Sequence, residues 1–464
     1  MKDKKTRRVV IMGAAGRDFH NFNMLFRNNP ALRVVAFTAA QIPAIEKRKF
    51  PKELAGKLYK KDIPIYSEEK LSHLIKKLDA DTVVFAYSDV SNQQIMEKAA
   101  LASSCGANFV ILGPKSTMLK SKRPVISVCA VRTGAGKSPT TRKICRVLKE
   151  NDIKPVLIRH PMPYGNLRKQ EAQRFAALQD LDKHKCTIEE REEYEPHIRE
   201  GTTVYAGVDY EKILRMAERE ADVIVWDGGN NDYPFYRPDL HIVVADARRP
   251  GHEVSYYHGA VNVRMADVVI INKVKTAHSR KVEEIEQNVK KLNPKALVIK
   301  ANMTKTADRP DLIKGKKVLV VEDGPTLTHG GLSIGAGYLA AMKYKARKVV
   351  DPRPYAIGSI KETFEKFRHL DKVLPATGYG SKQMTELKKT INRVPCDSVI
   401  VGTPVDLGRY LRINKPFVRV TYEIHMLGKP DISDIVEGFV RGRGMNKAEH
   451  RTTHLLRQRH KNKT

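Results

Sequence analysis

Five cysteines in 464 residues, Cys105, Cys129, Cys145, Cys186 and Cys396, stand far apart and form no CxxC pair. That scatter excludes a disulfide framework and a cysteine zinc site, and leaves the thiols as ordinary small buried groups. Long apolar runs are also missing. No stretch approaches the roughly 20 residues of a membrane-spanning helix. The basic start MKDKKTRR is followed only by VVIMGAAG before polar residues return. This reads as a first strand and its turn rather than a secretory segment, in a cytoplasmic protein without membrane contact. No RNA-recognition module and no aromatic stacking motif is present. Residues 306–440 show no clustered nucleophile or metal-ligand set, and a lone His329 reads as a turn histidine.

What the chain has in excess is positive charge, formally +32 from 84 Lys/Arg against 52 Asp/Glu. Such an excess attracts polyanions without choosing among nucleic acid, anionic membrane and phosphorylated metabolite. Hydrophobic residues make up 41%, enough for a globular chain of about three domains.

The clearest stretch is PVISVCAVRTGAGKSPTTRKICRVLK, Pro124 to Lys149. Val125–Cys129 has the length and β-branching of one buried strand, and Ile144, Val147 and Leu148 mark an amphipathic helix. Between them lies the turn Thr133-Gly134-Ala135-Gly136-Lys137-Ser138. Glycines let backbone N–H groups close around anionic oxygens, and the helix N-terminus adds partial positive charge. Lys137 then reaches the β/γ-phosphates and Ser138 holds Mg²⁺. The full phosphate-loop pattern asks for glycine where Val131 stands. A variant loop with a basic residue five before the lysine fits better, and Arg132 is there. Dethiobiotin synthetase, ParA-type ATPases and metal-insertion GTPases belong to that branch.

Around this loop the chain divides into residues 1–117, 118–305, 306–440 and a basic tail, 441–464. In the first unit, apolar runs at Val9–Met12, Val34–Phe37, Thr82–Ala86 and Phe109–Leu112 alternate with helical patterns at Glu69–Leu78 and Asn92–Ala102. That alternation predicts a parallel sheet covered by helices, a Rossmann-like α/β domain. Its turn Gly13-Ala14-Ala15-Gly16-Arg17-Asp18 lacks the full GxGxxG, so a structural role outweighs a second nucleotide site. Tyr87-Ser88-Asp89 ends a strand where such folds place ligands, with a solvated loop as the competing reading.

In the second unit, Pro155–Ile158 runs into Arg159-His160-Pro161-Met162-Pro163-Tyr164-Gly165. Basic and rigid residues at a strand's carboxyl end suit an anionic substrate, and Arg159, His160 and Tyr164 are its candidate contacts. The segment Glu189 to Glu195 reads as a solvated helix or lid without chemistry of its own. Val223–Asp227 is a strand ending in aspartate about ninety residues after the phosphate loop, which makes Asp227 the second Mg²⁺ ligand. Arg248 and Arg249, after the strand Leu240–Ala245, are placed to neutralise charge on a transferred phosphoryl group, with surface solvation as the alternative. Asn272-Lys273-Val274-Lys275 resembles the guanine-reading Asn-Lys-x-Asp, but Lys275 has no acceptor to offer the base. Asn272 and Lys273 are expected against a purine, and the choice of ATP or GTP stays open.

In the third unit, Glu322 to Gly331 and the strand-end loops at Asp351, Val373–Gly380 and Gly402-Thr403-Pro404 shape a cleft against the phosphate-loop unit. The tail carries eight Lys/Arg against one Glu. It reads as a mobile, solubilising segment, with RNA or polyanion contact as the alternative.

Taken together, SVCAVRTGAGKS, RHPMPYG, EEREEYEPHI, VWDGGNND, VVADARRPGHE, NKV, VVEDGPTLTHG and DPRPYAIGSIKETF resemble the archaeal and bacterial family of cyclic 2,3-diphosphoglycerate synthetase-like proteins and predicted P-loop GTPases. The likeness covers roughly residues 7–440. It implies a Rossmann-like N-terminal domain, a central P-loop NTPase domain with a mainly parallel sheet, a C-terminal α/β domain, and a homodimer. It also implies an ATP- and Mg²⁺-dependent ligase or cyclase acting on a small phosphorylated acid such as 2,3-diphosphoglycerate. On this chain Gly134, Gly136, Lys137 and Ser138 would bind the triphosphate, Asp227 the metal, and Arg159, His160, Arg248 and Arg249 the substrate's phosphates. Lys137 and Arg132 join Arg248 and Arg249 as catalytic candidates. Two other classes compete: a GTPase switch or metal-insertion GTPase, and a protein in which nucleotide gates polyanion or RNA binding.

Overall fold

Short β-branched runs become buried strands wherever helices cover both faces of a sheet, and that rule builds this molecule. The computed structural model describes residues 6–40, 48–160, 165–228, 232–328, 331–376 and 381–445. In the first unit the sheet order is Lys49–Phe50, Ile63–Ser67, Leu32–Ala39, Arg7–Met12, Thr82–Phe85, Asn108–Ile111. All pairs are parallel except the first. The two expected helices are present as Leu71–Lys77 and Asn92–Ser104, the latter opened by a Ser91–Gln94 capping box.

The rest of the chain forms one continuous sheet of thirteen described strands. Its phosphate-loop half is parallel, in the order Leu297–Ala307, Val268–Asn272, Leu240–Asp246, Val125–Ala130, Val223–Asp227, Pro155–Arg159, Thr203–Gly207, and closes on the antiparallel Ala172–Phe175. The strand Phe417–Leu427 pairs antiparallel with Leu297–Ala307, from Lys300–Leu427 to Ala307–Val420, and joins the C-terminal half onto this sheet. Beyond it lie Ser398–Gly402, Lys317–Asp323 and Lys348–Val349.

This join moves the boundary expected at 305/306, which falls inside a strand. The last helix, Ile432–Gly442, also returns to the phosphate-loop unit. Its Ile432, Val436 and Val440 share a core with Ile144, Val147 and Leu148 of the helix Lys137–Glu150. The Lys137–Glu150 helix is thus held between the sheet and a C-terminal element. Of the cysteines, Cys129 and Cys145 are buried, whereas Cys105, Cys186 and Cys396 are half-buried; all are free thiols. No described helix is long and apolar enough to cross a membrane. Residues 446–464, and with them most of the basic tail, lie outside the described residues.

Candidate active site

Val125–Ala130, buried at every residue, delivers the chain into the glycine loop, and the helix Lys137–Glu150 leaves it. Gly134 and Gly136 take φ of +79° and +117°, backbone that residues with a Cβ rarely adopt. Three side chains hold successive loop carbonyls. Arg249 Nη2 donates to Thr133 O at 2.7 Å, Lys273 Nζ to Gly134 O at 2.5 Å, and Asn272 Nδ2 to Ala135 O at 2.8 Å. Held through its carbonyls, the loop keeps the open curve in which backbone N–H groups and the helix N-terminus suit an anion. Asn272 and Lys273, expected against a purine, therefore brace the phosphate loop. The strand end that supplies them also places Lys273 Nζ 2.7 Å from Asp246. Burial, opposed by Asp246, draws the Lys273 ammonium down to about 7.

Lys137 and Asp227 meet at 2.5 Å, with Asp227 fully buried at its strand end. Arg159, one strand over, pairs with the same carboxylate and with Glu193, and its Nη1 lies 3.5 Å from Ser138 Oγ. Burial alone would raise the Asp227 carboxyl, but Arg159 and Lys137 hold it well below the usual range. Burial also lowers the Lys137 ammonium, against the pull of Asp227. Arg159 thus neutralises the strand-end aspartate rather than standing alone for a substrate phosphate. A hydroxyl and a carboxylate converging beside the loop suit a hard divalent cation that takes its remaining ligands from phosphate and water.

His160 turns the other way, as the next residue of a strand must. Its ring packs against Phe235 and Tyr210, and burial lowers it to about 4. A Cβ on Gly16 would overlap its imidazole, so His160 sits at the junction with the N-terminal domain and outside the cavity. Tyr164 lies outside the described residues. So do Asn230 and Asn231, His329, and Gly378 to Gly380.

The N-terminal turn is filled by its own side chain. Asp18 accepts from Ala15 N and Phe19 N, and a Cβ on Gly13 would lie 2.4 Å from its carboxylate. Burial raises that carboxyl to about 7. Arg17 crosses instead into the phosphate-loop domain, 2.9 Å from Asp232 and over the rings of Tyr233 and Phe235. Asp89 carries the same connection to the site. Its carboxylate sits 2.7 Å from Arg132, whose guanidinium also contacts His252 Nδ1 and covers the Tyr256 ring.

One cavity brings these groups together. Its phosphate side is lined by Gly134, Gly136, Lys137, Ser138, Arg132, Arg159, Arg248 and Lys273. Carboxylates line it too: Glu192 and Glu193 from the helix Ile188–Arg199, and Glu322 and Asp323 from the end of Lys317–Asp323. The C-terminal half lies directly on the loop, since a Cβ on Gly134 would be 3.3 Å from the Thr326 methyl, and Thr326 donates to Asp323. The cleft expected between the two units is this cavity.

The helix Ile188–Arg199 corrects its sequence reading, because it is interior rather than solvated. Glu189, Glu190, Arg191, Glu192 and Glu195 are all buried. Its charges are matched partly within its own unit, by Asp182 beside Arg191, Arg199 beside Glu195 and Gln170 donating to Glu190. The C-terminal half supplies the rest: Thr403 donates to Glu192, and the Tyr410 hydroxyl accepts from Arg191 at 2.8 Å and donates to Glu195 at 3.1 Å. Burial, and next to it Asp323, pushes the Glu192 carboxyl well above its ordinary value. Burial likewise raises Glu322 to about 7, against three backbone donors, Gly335, Gly337 and Tyr338. His197, on the same helix, is held well below its ordinary value by burial. Among the described residues no group of three or more His, Cys, Asp or Glu forms a metal cluster.

Comparison with known proteins gives the same assignment for the central unit. Residues 201–302 match the model of the cyclic 2,3-diphosphoglycerate synthetase P-loop domain. Over the whole chain, the arginine synthetase ArcE of Thermococcus kodakarensis is 61% identical across 437 residues, 94% of this chain and 98% of that protein. The cyclic 2,3-diphosphoglycerate synthetase of the same organism is 24% identical over 67% of this chain and 76% of its own length. That of Methanothermus fervidus is 26% identical over 39% and 40%.

Proposed function

This chain belongs to the family that holds arginine synthetase ArcE and the cyclic 2,3-diphosphoglycerate synthetases, and we propose that within it the protein is an ATP-dependent, arginine-forming ligase. One observation carries the choice of substrate: the carboxylates Glu192, Glu322 and Asp323 share a cavity with the phosphate loop. The loop's own cations suit the triphosphate. Buried carboxyl groups favour a cation such as ammonium beside them, which lets them ionise, and they offer a heavily phosphorylated acid no positive partner.

Chemistry narrows the reaction further. A P-loop transfers a phosphoryl group to an oxygen, and the guanidino group of arginine contains none. The oxygen must therefore sit on the carbon that becomes the guanidino carbon, which makes the acceptor a ureido amino acid and the incoming group ammonia. Phosphorylation turns that oxygen into a leaving group. The loop and Lys137 bind and orient the β- and γ-phosphates, Arg132 and Arg248 spread the charge that develops on transfer, and Arg159 stays with Asp227. Ser138 and Asp227 would hold Mg²⁺, which supplies charge neutralisation between phosphate oxygens. The two walls of the cavity, one from each half of the sheet, would limit the access of water to the phosphorylated intermediate. Asn272 and Lys273 brace the loop whichever purine is bound, which removes the main support for a guanine-specific switch.

The test is a set of parallel incubations with Mg²⁺ and ATP or GTP, together with citrulline as the ureido amino acid plus ammonium, or with 2,3-diphosphoglycerate. Arginine and ADP formed in equal amounts only with citrulline and ammonium would support the proposal. A cyclic product from 2,3-diphosphoglycerate, with no arginine, would replace it by the synthetase reading.

A further inference from the structure

A ligase that uses ammonia faces a difficulty at neutral pH, where the nucleophile arrives mainly as ammonium. It must be held in the cavity as a cation and then lose a proton before it can attack. Glu192 and Asp323 supply two carboxyl groups in the cavity that contains Lys137, from two different elements, one on the Ile188–Arg199 helix and one at a strand end. Glu192 is 8% exposed. Its Oε1 accepts from Thr403, and among the described residues its Oε2 accepts no hydrogen bond. A second buried atom in the cavity lining is also unmatched. His197, 1% exposed and lining the same cavity, has a ring Nδ1 without a hydrogen-bond partner among the described residues. A buried polar atom left unmatched is expensive unless something completes it. Glu322 is a poorer candidate, because its oxygens are occupied by the N–H groups of Gly335, Gly337 and Tyr338. Glu193 is taken by Arg159.

We propose that the Glu192–Asp323 carboxyl pair is the ammonium site of the enzyme, with Glu192 the base that frees the ammonia. This rests on the arginine-forming reading above. Ammonium donates to Glu192 Oε2 and to Asp323. One proton passes to Glu192, and the nitrogen lone pair forms a bond to the phosphorylated ureido carbon. The tetrahedral adduct then loses a second proton from the new nitrogen. The carbon–oxygen bond breaks, and its electron pair leaves with the oxygen as inorganic phosphate, which carries that second proton. The Glu192 proton returns to solvent when product leaves. Burial favours the protonated Glu192 carboxyl, and a cation beside it favours the carboxylate, so Glu192 ionises as ammonium binds and takes a proton back as ammonia forms.

The experiment compares wild type, Glu192→Gln and Asp323→Asn in full-length enzyme with ATP, Mg²⁺ and citrulline. The nucleophile is either ammonium or hydroxylamine, which is already neutral near pH 7. General-base loss predicts a fall of about 100-fold or more in kcat/KM for ammonium in Glu192→Gln, and under about tenfold for hydroxylamine. Asp323→Asn is expected to raise the KM for ammonium with less effect on kcat. Calorimetric ATP binding and a thermal melt of both variants separate loss of the amine site from loss of nucleotide binding or folding. Equal losses with both nucleophiles, or an unchanged ammonium KM and kcat in Glu192→Gln, would overturn the assignment. Failure of wild type to make arginine at all would overturn the reading beneath it.

Discussion

At the scale of single residues, the site depends on atoms that approach too closely for any other side chain. Gly136 is the clearest case. Its φ is +117°, and a Cβ there would lie 2.2 Å from Asn272 Nδ2. Gly136→Ala is expected to destabilise the fold by about 1–3 kcal/mol from backbone strain alone. It should also displace the amide that holds Ala135 O, so nucleotide affinity falls more than stability does; calorimetric ATP binding beside a thermal melt reads both. Glu322 gives a second prediction, about pH. Its carboxyl is raised to about 7 in the fold, so between about pH 4.5 and 7 the native state binds more protons than the unfolded chain. Its contribution to stability is fully present below about 4.5 and is lost as pH rises through 7. Glu322→Gln should therefore gain on wild type, by on the order of 2 kcal/mol, when urea unfolding at pH 5 is compared with pH 8. An equal gap at both pH values would show that Glu322 does not titrate there.

At the scale of elements, the helix Ile188–Arg199 is decided by its neighbours. A run of glutamates with one arginine reads as solvated, because charged residues are seldom buried without partners. Some partners are local, Asp182 for Arg191 and Arg199 for Glu195, but Thr403 and Tyr410, which close the C-terminal half over the helix, lie over 200 residues away. Tyr410 is the hinge of that match, its hydroxyl between Arg191 and Glu195. Tyr410→Phe leaves two buried charges each one bond short and is expected to destabilise the protein by about 1–3 kcal/mol. Because Tyr410 lies away from the phosphate loop, ATP affinity should stay within about twofold, measured by denaturant titration and by ATP binding. The phosphate loop behaves in the opposite way. Its strand, glycines and helix are contiguous in sequence, so its position was legible from the residues, while the side chains that brace it were not.

At the scale of the whole molecule, the N-terminal domain reaches the active site through two side chains, and its glycine turn is filled from within. Its turn is filled by Asp18, while Arg17 and Asp89 reach across to Asp232 and Arg132. Asp89→Ala is expected to lower kcat about 10- to 100-fold through misplacement of Arg132, with KM for ATP changed less than about threefold. Steady-state kinetics on the full chain test this, and an unchanged kcat would reduce the domain's role to scaffolding. The C-terminal half, joined edge to edge through Phe417–Leu427, supplies the Thr326 contact and the second wall of the cavity. A chain cut at 305 would lose that strand pairing and the core face of Ile432–Gly442 together.

By itself the sequence determined the α/β class, the phosphate loop and the strand-end aspartate. Each of these is written in contiguous residues whose periodicity and backbone freedom act locally. Tertiary structure alone decided what the charges do. Its sequence position makes Arg159 a phosphate contact, but the fold pairs it with Asp227, because the two strands lie side by side in register. The motif sets Asn272 and Lys273 against a base, but the fold makes them the brace of the loop. The glutamate run suggests a solvated Glu192, but the fold buries its carboxyl beside Asp323. A charge's role depends on its dielectric surroundings and its nearest opposite charge, and both are set by residues far along the chain.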